Sequence, residues 1–140
     1  MKLLCKDITD RVLSAFYAVY NELGFGFLES VYQNALYKEL CSMGLRCEPL
    51  KVIEVYYKGE VVGKYVADMV VEDEVILELK ASSMLTEAHE MQLQNYLKAT
   101  RVEVGLLLNF GARPEFRRKV FANCLHERYK QRNHISHNPL

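Results

Sequence analysis

The residues of this chain best placed for chemistry lie in and around the stretch Val75-Ile76-Leu77-Glu78-Leu79-Lys80. Four apolar residues mark a strand inside a sheet, yet the stretch also carries an acid and a base two residues apart. An acidic turn, Glu72-Asp73-Glu74, precedes it. A hairpin centred on Asp73 sets Asp68 directly opposite Glu78, where Cβ atoms stand ~4.5–5.5 Å apart. Lys80, two residues beyond Glu78, points to the same face. A two-residue turn centred between Asp73 and Glu74 would shift the register by one and leave the cluster diagonal and looser. Opposed carboxylates repel, and burial raises the cost of their charge. A divalent cation offsets both. Mg²⁺ takes one or two carboxylates from a protein and fills its other positions with water and phosphate oxygens, and Mn²⁺ can substitute. The alternative is a buried ion pair between Lys80 and one acid. The metal site is the preferred reading, because perturbed charges cluster at functional sites.

Two helical stretches bear on the same chemistry. In Gly26-Phe27-Leu28-Glu29-Ser30-Val31-Tyr32, Glu29 and Tyr32 lie one helical turn apart among apolar neighbours. Glu29 either turns inward or sits at a helix start, where the macrodipole favours an acid. Gln92 and Tyr96 fall at i and i+4 of a later helix that follows the strand bearing Lys80. They could hydrogen-bond the lysine, a water or a phosphate; the alternative puts Tyr96 in the core. His89 stands one turn before Gln92 and reads as a helix-surface or hydrogen-bonding residue. Cys41, Cys47 and His89 form no nucleophilic triad.

The elements that must position these residues follow from the hydrophobic pattern. Ile8, Val12, Phe16, Val19 and Leu23 predict a first helix, with Asp7 as its cap and Gly24 as its stop. A second runs from about Leu28 to Met43, ended by Gly44. Three strands in a meander then span residues 51–80, turning at Lys58-Gly59 and at Glu72-Asp73-Glu74. A third helix over 85–99, with Thr86 as cap, leads to a buried strand closing near Gly111. Residues 115–121 alternate as an edge strand or form a short helix. The strand–helix–strand step predicts a parallel crossover. The fold class is α/β, with a mixed central sheet flanked by helices.

The 140 residues fit one domain, with a core over about 8–122 and a tail over about 123–140. Lys plus Arg equals Asp plus Glu at 18 each, so net charge names no partner. Between Arg113 and His134, seven bases face two acids, a footprint for a polyanion or simply a solvated surface. Cys5, Cys41, Cys47 and Cys124 have neither zinc nor iron–sulfur spacing and read as free thiols of a cytoplasmic protein. The His-Ile-Ser-His stretch at 134–137 reads as a solvated tail. No signal peptide or bilayer-spanning run is evident.

Taken together, these pieces resemble the PD-(D/E)XK nuclease superfamily, the restriction-endonuclease-like fold, and within it the small GxxExxY family. The signature letters are Gly26, Glu29 and Tyr32, then Asp68, then Glu78-Leu79-Lys80, then Gln92 and Tyr96. Alanine, Ala67, stands where the superfamily's name has proline. The resemblance implies an α-β-β-β-α-β core and Mg²⁺-dependent hydrolysis of phosphodiester bonds, with DNA ahead of RNA as substrate. It implies that Asp68 and Glu78 hold the metal, Glu29 supports it from the helix, Lys80 assists the attacking water, and Tyr32, Gln92 and Tyr96 line the site. A homodimer is compatible with such folds. The rival reading is a non-catalytic nucleic-acid-binding or assembly module on the same fold.

Overall fold

The structure is a computed structural model and describes residues 4–122. Two helices come first, α1 (Lys6–Leu23) and α2 (Glu29–Ser42). Strands β1 (Cys47–Tyr57), β2 (Glu60–Val71) and β3 (Val75–Lys80) follow, then α3 (Glu87–Lys98), β4 (Val104–Phe110) and β5 (Pro114–Val120). The strands lie side by side in sequence order. Among the described strands only β3 and β4 pair in parallel, so the sheet is mixed and α3 is the crossover between them. Residues 115–121, open between strand and helix in the sequence, mostly belong to the edge strand β5, antiparallel to β4.

Local chemistry explains the boundaries. Lys58 and Gly59 both have positive φ, 51° and 81°, the combination of a type I′ hairpin turn, and they join β1 to β2 directly. Gly24, at φ 69°, stops α1. Thr86 caps α3 by accepting from the His89 N–H, while the His89 ring nitrogen accepts from the Thr86 N–H. His89 is therefore a capping residue. The expected Asp7 cap is corrected. α1 begins two residues earlier than an Asp7 cap would place it, Cys5 stands at the N-cap without a side-chain bond, and Asp7 sits in the first turn facing the helix dipole.

The sheet separates two cores. On one face Met69, Val71, Leu77, Leu79, Leu106 and Leu108 pack against α1 and α2, with Phe16 and Tyr32. On the other, Val70, Ile76 and Leu107 pack against Leu93, Tyr96 and Leu97 of α3. β4 is buried throughout, as a strand covered on both faces must be. Gly105 lets α3 approach: a Cβ there would stand 2.7 Å from Leu93 Cδ1. Gly105→Ala should cost about 1–3 kcal/mol, as overpacking does, read as a lower denaturant midpoint. An unchanged midpoint would mean that Leu93 swings away freely.

Candidate active site

β2 and β3 pair at Met69–Leu77, Val70–Ile76 and Val71–Val75, the register of a hairpin centred on Asp73. The looser alternative register is thereby excluded. Glu72 and Asp73 take left-handed φ values of 53° and 56° to close the turn, a conformation that Asp tolerates better than most residues. Past Met69 and Leu77 the backbone ladder stops, and the acids take over its hydrogen bonds. Glu78 Oε1 accepts from the Asp68 N–H at 3.0 Å, and Asp68 Oδ2 accepts from the Leu79 N–H at 2.7 Å. On the far side of Asp68 the β1 ladder is interrupted as well. Leu50 stands between the pairs Pro49–Met69 and Lys51–Ala67 and has φ 53°.

Each carboxylate thus holds a backbone N–H beside the other. Glu78 is only 3 % exposed. Burial, and next the charge of Asp68, push its carboxyl up to about 8. Burial also raises Asp68, opposed by the Leu79 N–H and by Lys80. Two carboxyls held this close titrate as a pair.

Lys80 completes the cluster without neutralising it. Its Nζ donates to Gln92 Oε1 at 3.1 Å, and Gln92 Nε2 lies 3.1 Å from the Tyr96 hydroxyl. No ion pair among the described residues joins Lys80 to Asp68 or Glu78, so the alternative of a buried lysine–acid bridge is not realised. Burial and the two nearby acids push the Tyr96 hydroxyl up to about 12, which keeps it protonated. Just after Lys80, buried Asn109 clasps the loop: its Oδ1 accepts from the Ser82 N–H and its Nδ2 donates to the Ser82 carbonyl, both at 3.0 Å. Lys80 pairs with Asn109 across β3 and β4, so this clasp steadies the lysine's backbone.

Asp68, Glu78, Lys80, Gln92 and Tyr96 are therefore brought together. Glu29 is exposed in the first turn of α2 and makes no ion pair or hydrogen bond with them. Tyr32 does not line the cluster. It is fully buried, its ring stacked on Phe110 at 4.2 Å, and its hydroxyl donates to the Gly24 carbonyl at 2.7 Å. The same oxygen accepts from the Phe27 N–H at 3.3 Å. Tyr32 thus ties down a turn containing Gly26, whose φ of 109° suits glycine. Sequence reasoning missed Gln33, one helical turn after Glu29. Its Nε2 donates to the Asp68 carbonyl, while its Oε1 is buried without a partner. The signal was its i+4 spacing from Glu29 on one helix face.

Among the described residues no three His, Cys, Asp or Glu side chains form a metal-ligand group. Asp68 and Glu78 do fit a hard divalent ion of the Mg²⁺ type. They offer oxygen donors only, their crowding is only partly offset by the charge of Lys80, and such an ion needs one or two protein carboxylates.

The raised acids predict a pH dependence for the metal-free protein. The folded chain binds more protons here than the unfolded one. The stabilisation is therefore complete below the ordinary Glu value of 4.5 and is lost as pH rises through about 8. The melting temperature in EDTA should fall across that window, and less so in Glu78→Gln. Mn²⁺ should restore it at the upper end, because a ligand of the folded state stabilises that state. Equal slopes in the two proteins would contradict the raised Glu78 carboxyl.

A mixed sheet carrying two crowded carboxylates and a lysine on one face defines a restriction-endonuclease-like α/β fold with a candidate hydrolytic centre. A family model for the PD-(D/E)XK nuclease superfamily matches residues 6–133, and the chain belongs to that superfamily, whose members are typically nucleases. Among solved structures, the crystal structure of SSO0001 matches with a TM-score of 0.53 and 21 % identity over 73 % of this chain. That identity supports the fold alone. The match spans 55 % of the SSO0001 chain. A search of curated proteins finds no significant match.

Proposed function

We propose that the chain is a divalent-metal-dependent nuclease that hydrolyses phosphodiester bonds in DNA, or less readily RNA, and that within its superfamily it is of the GxxExxY type. The observation that carries this reading is the pair Asp68 and Glu78, each accepting a backbone N–H beside the other and neither joined in an ion pair to the neighbouring Lys80. Asp68 and Glu78 would hold a Mg²⁺ or Mn²⁺ ion. Such an ion supplies Lewis-acid polarisation of a phosphoryl oxygen and a more acidic bound water. Glu78 must release its proton to serve. Lys80 has three N–H donors; Gln92 takes one, and the others remain for a water or a phosphate oxygen. The protonated Tyr96 hydroxyl, held by Gln92, adds a donor at the rim. Glu29 supports this centre only if the start of α2 moves toward it. Free thiols at Cys5, Cys41 and Cys47 suit a reducing compartment such as the cytoplasm. No helix among the described residues is long and apolar enough to cross a membrane.

One observation favours the rival non-catalytic binding module: among the described residues only two carboxylates converge. Cleavage of labelled single-stranded, duplex and branched DNA and of RNA, with Mg²⁺ or Mn²⁺, separates the readings. Activity lost in Glu78→Gln and Lys80→Met supports the nuclease. Salt-sensitive binding without any cleavage supports the module.

The basic stretch contributes little to this reading. Lys119 pairs with Glu90 at 2.6 Å, Arg117 lies 3.7 Å from Glu115, and Arg118 donates to the Leu4 carbonyl. Arg128, Lys130, Arg132 and the 134–137 stretch lie outside the described residues.

A further inference from the structure

Beside the acid cluster a cavity of about 540 Å³ opens between the β1–β2 hairpin and α3. Its size is that of a small-ligand pocket. Val55 and Tyr65 line it from the hairpin, Met91, Asn95 and the Gln92–Tyr96 pair from α3. Gln92 and Tyr96 belong to both places, so the cavity continues directly into the site that would hold the scissile phosphate.

We propose that this cavity receives one unpaired nucleobase of the strand whose phosphate lies at Asp68 and Glu78. The inference rests on the nuclease reading for its phosphate and adds the form of the substrate. Tyr65 is 50 % exposed and tilts against the Tyr96 ring, with centroids 5.6 Å apart. Tyr96 steadies the inner side of Tyr65 and leaves the outer ring surface open to a flat partner. Met91, also 50 % exposed, offers a polarisable wall. The Asn95 side-chain amide makes no hydrogen bond among the described residues and lies at the lining, so its donor and acceptor can meet a base edge. Stacking on an aromatic ring is tolerant of base identity, since every base has a π-face. Inside a duplex both faces of a base are covered by its neighbours. Entry to a walled cavity therefore requires a single strand, a frayed end or a base swung out of the helix. A site so built acts where the strand is unpaired.

The test is fluorescence anisotropy of a short labelled DNA strand, and of the same strand in a blunt duplex, titrated with the full chain in EDTA. The single strand should bind at least about tenfold more tightly than the duplex, and Tyr65→Ala should lose about tenfold for the strand, the worth of one stacked base. Ala88→Trp, which fills the cavity from α3, should give the same loss. Thermal melts show that each variant is folded, and either variant alone decides the matter. Wild-type affinity for the strand in a folded variant overturns the proposal, as does a wild-type protein that prefers the duplex or binds neither. Cleavage is read separately, with Mn²⁺. A protein that keeps the Tyr65-dependent preference but cuts nothing, or cuts equally as Glu78→Gln, upholds the base cavity and removes the nuclease reading.

Discussion

Glu78→Gln is expected to lower metal-dependent cleavage by about 10³-fold or more while leaving the fold intact. The magnitude follows from the several kcal/mol that a Lewis acid contributes to a phosphoryl transition state, each ~1.4 kcal/mol being a factor of ten. Glutamine is the informative replacement. Its side-chain oxygen can still accept from the Asp68 N–H, as Glu78 Oε1 does at 3.0 Å. Alanine would strand that buried donor, at a cost of about 1–3 kcal/mol, and would confuse lost chemistry with lost structure. Glutamine also removes a buried charge beside Asp68, so its melting temperature above pH 8 should equal or exceed that of the parent. Asp68→Asn should behave similarly but less cleanly, because an amide turned the wrong way would face the Leu79 N–H with a second donor. Single-turnover cleavage beside thermal melts provides the measurement. Parental cleavage by well-folded Glu78→Gln would place the chemistry elsewhere.

The second large effect is on stability. Tyr32→Ala should cost about 3–5 kcal/mol, the range for emptying a large aromatic site in a core. Its ring stacks on Phe110 at 4.2 Å and meets Phe27 edge-on at 6.1 Å. Tyr32→Phe keeps the rings and gives up only the bonds to the Gly24 carbonyl and Phe27 N–H, a loss of about 1 kcal/mol. Denaturant midpoints measure both. The phenylalanine variant should cleave at the parental rate. Loss of cleavage at full stability would return the Tyr32 hydroxyl to the reactive cluster.

Tyr32 also marks where the sequence stopped being legible. The acid–base cluster could be read because it depends on local rules: alternation along β3, a turn at Asp73, and i, i+4 spacing between Gln92 and Tyr96. Those rules place Glu78 and Lys80 on the α3 face, and Gln92 meets the lysine at 3.1 Å. The parallel step from β3 to β4 and the Thr86 cap rest on equally local signals. Glu29 and Tyr32 share a helical turn, but whether that turn faces the chemistry depends on how α2 lies across the sheet, which periodicity does not encode. The left-handed Leu50 is equally hidden, since nothing in Pro49-Leu50-Lys51 distinguishes it from an ordinary strand. The Asn109 clasp joins residues 27 apart in the chain and has no pattern of its own.

One contact links the two layers. Lys80 meets Gln92 and Tyr96 on the α3 face, while α1 and α2 cover the other. Gln33 alone among the α2 residues reaches the Asp68 carbonyl, at the point where neighbouring strands have let go of their regular pairing. That amide acts as a tether between scaffold and reactive centre. A slide or tilt of α2 would pull on Asp68 without disturbing α3, so the spacing of the two acids can be tuned from the back of the sheet by residues that never meet a substrate.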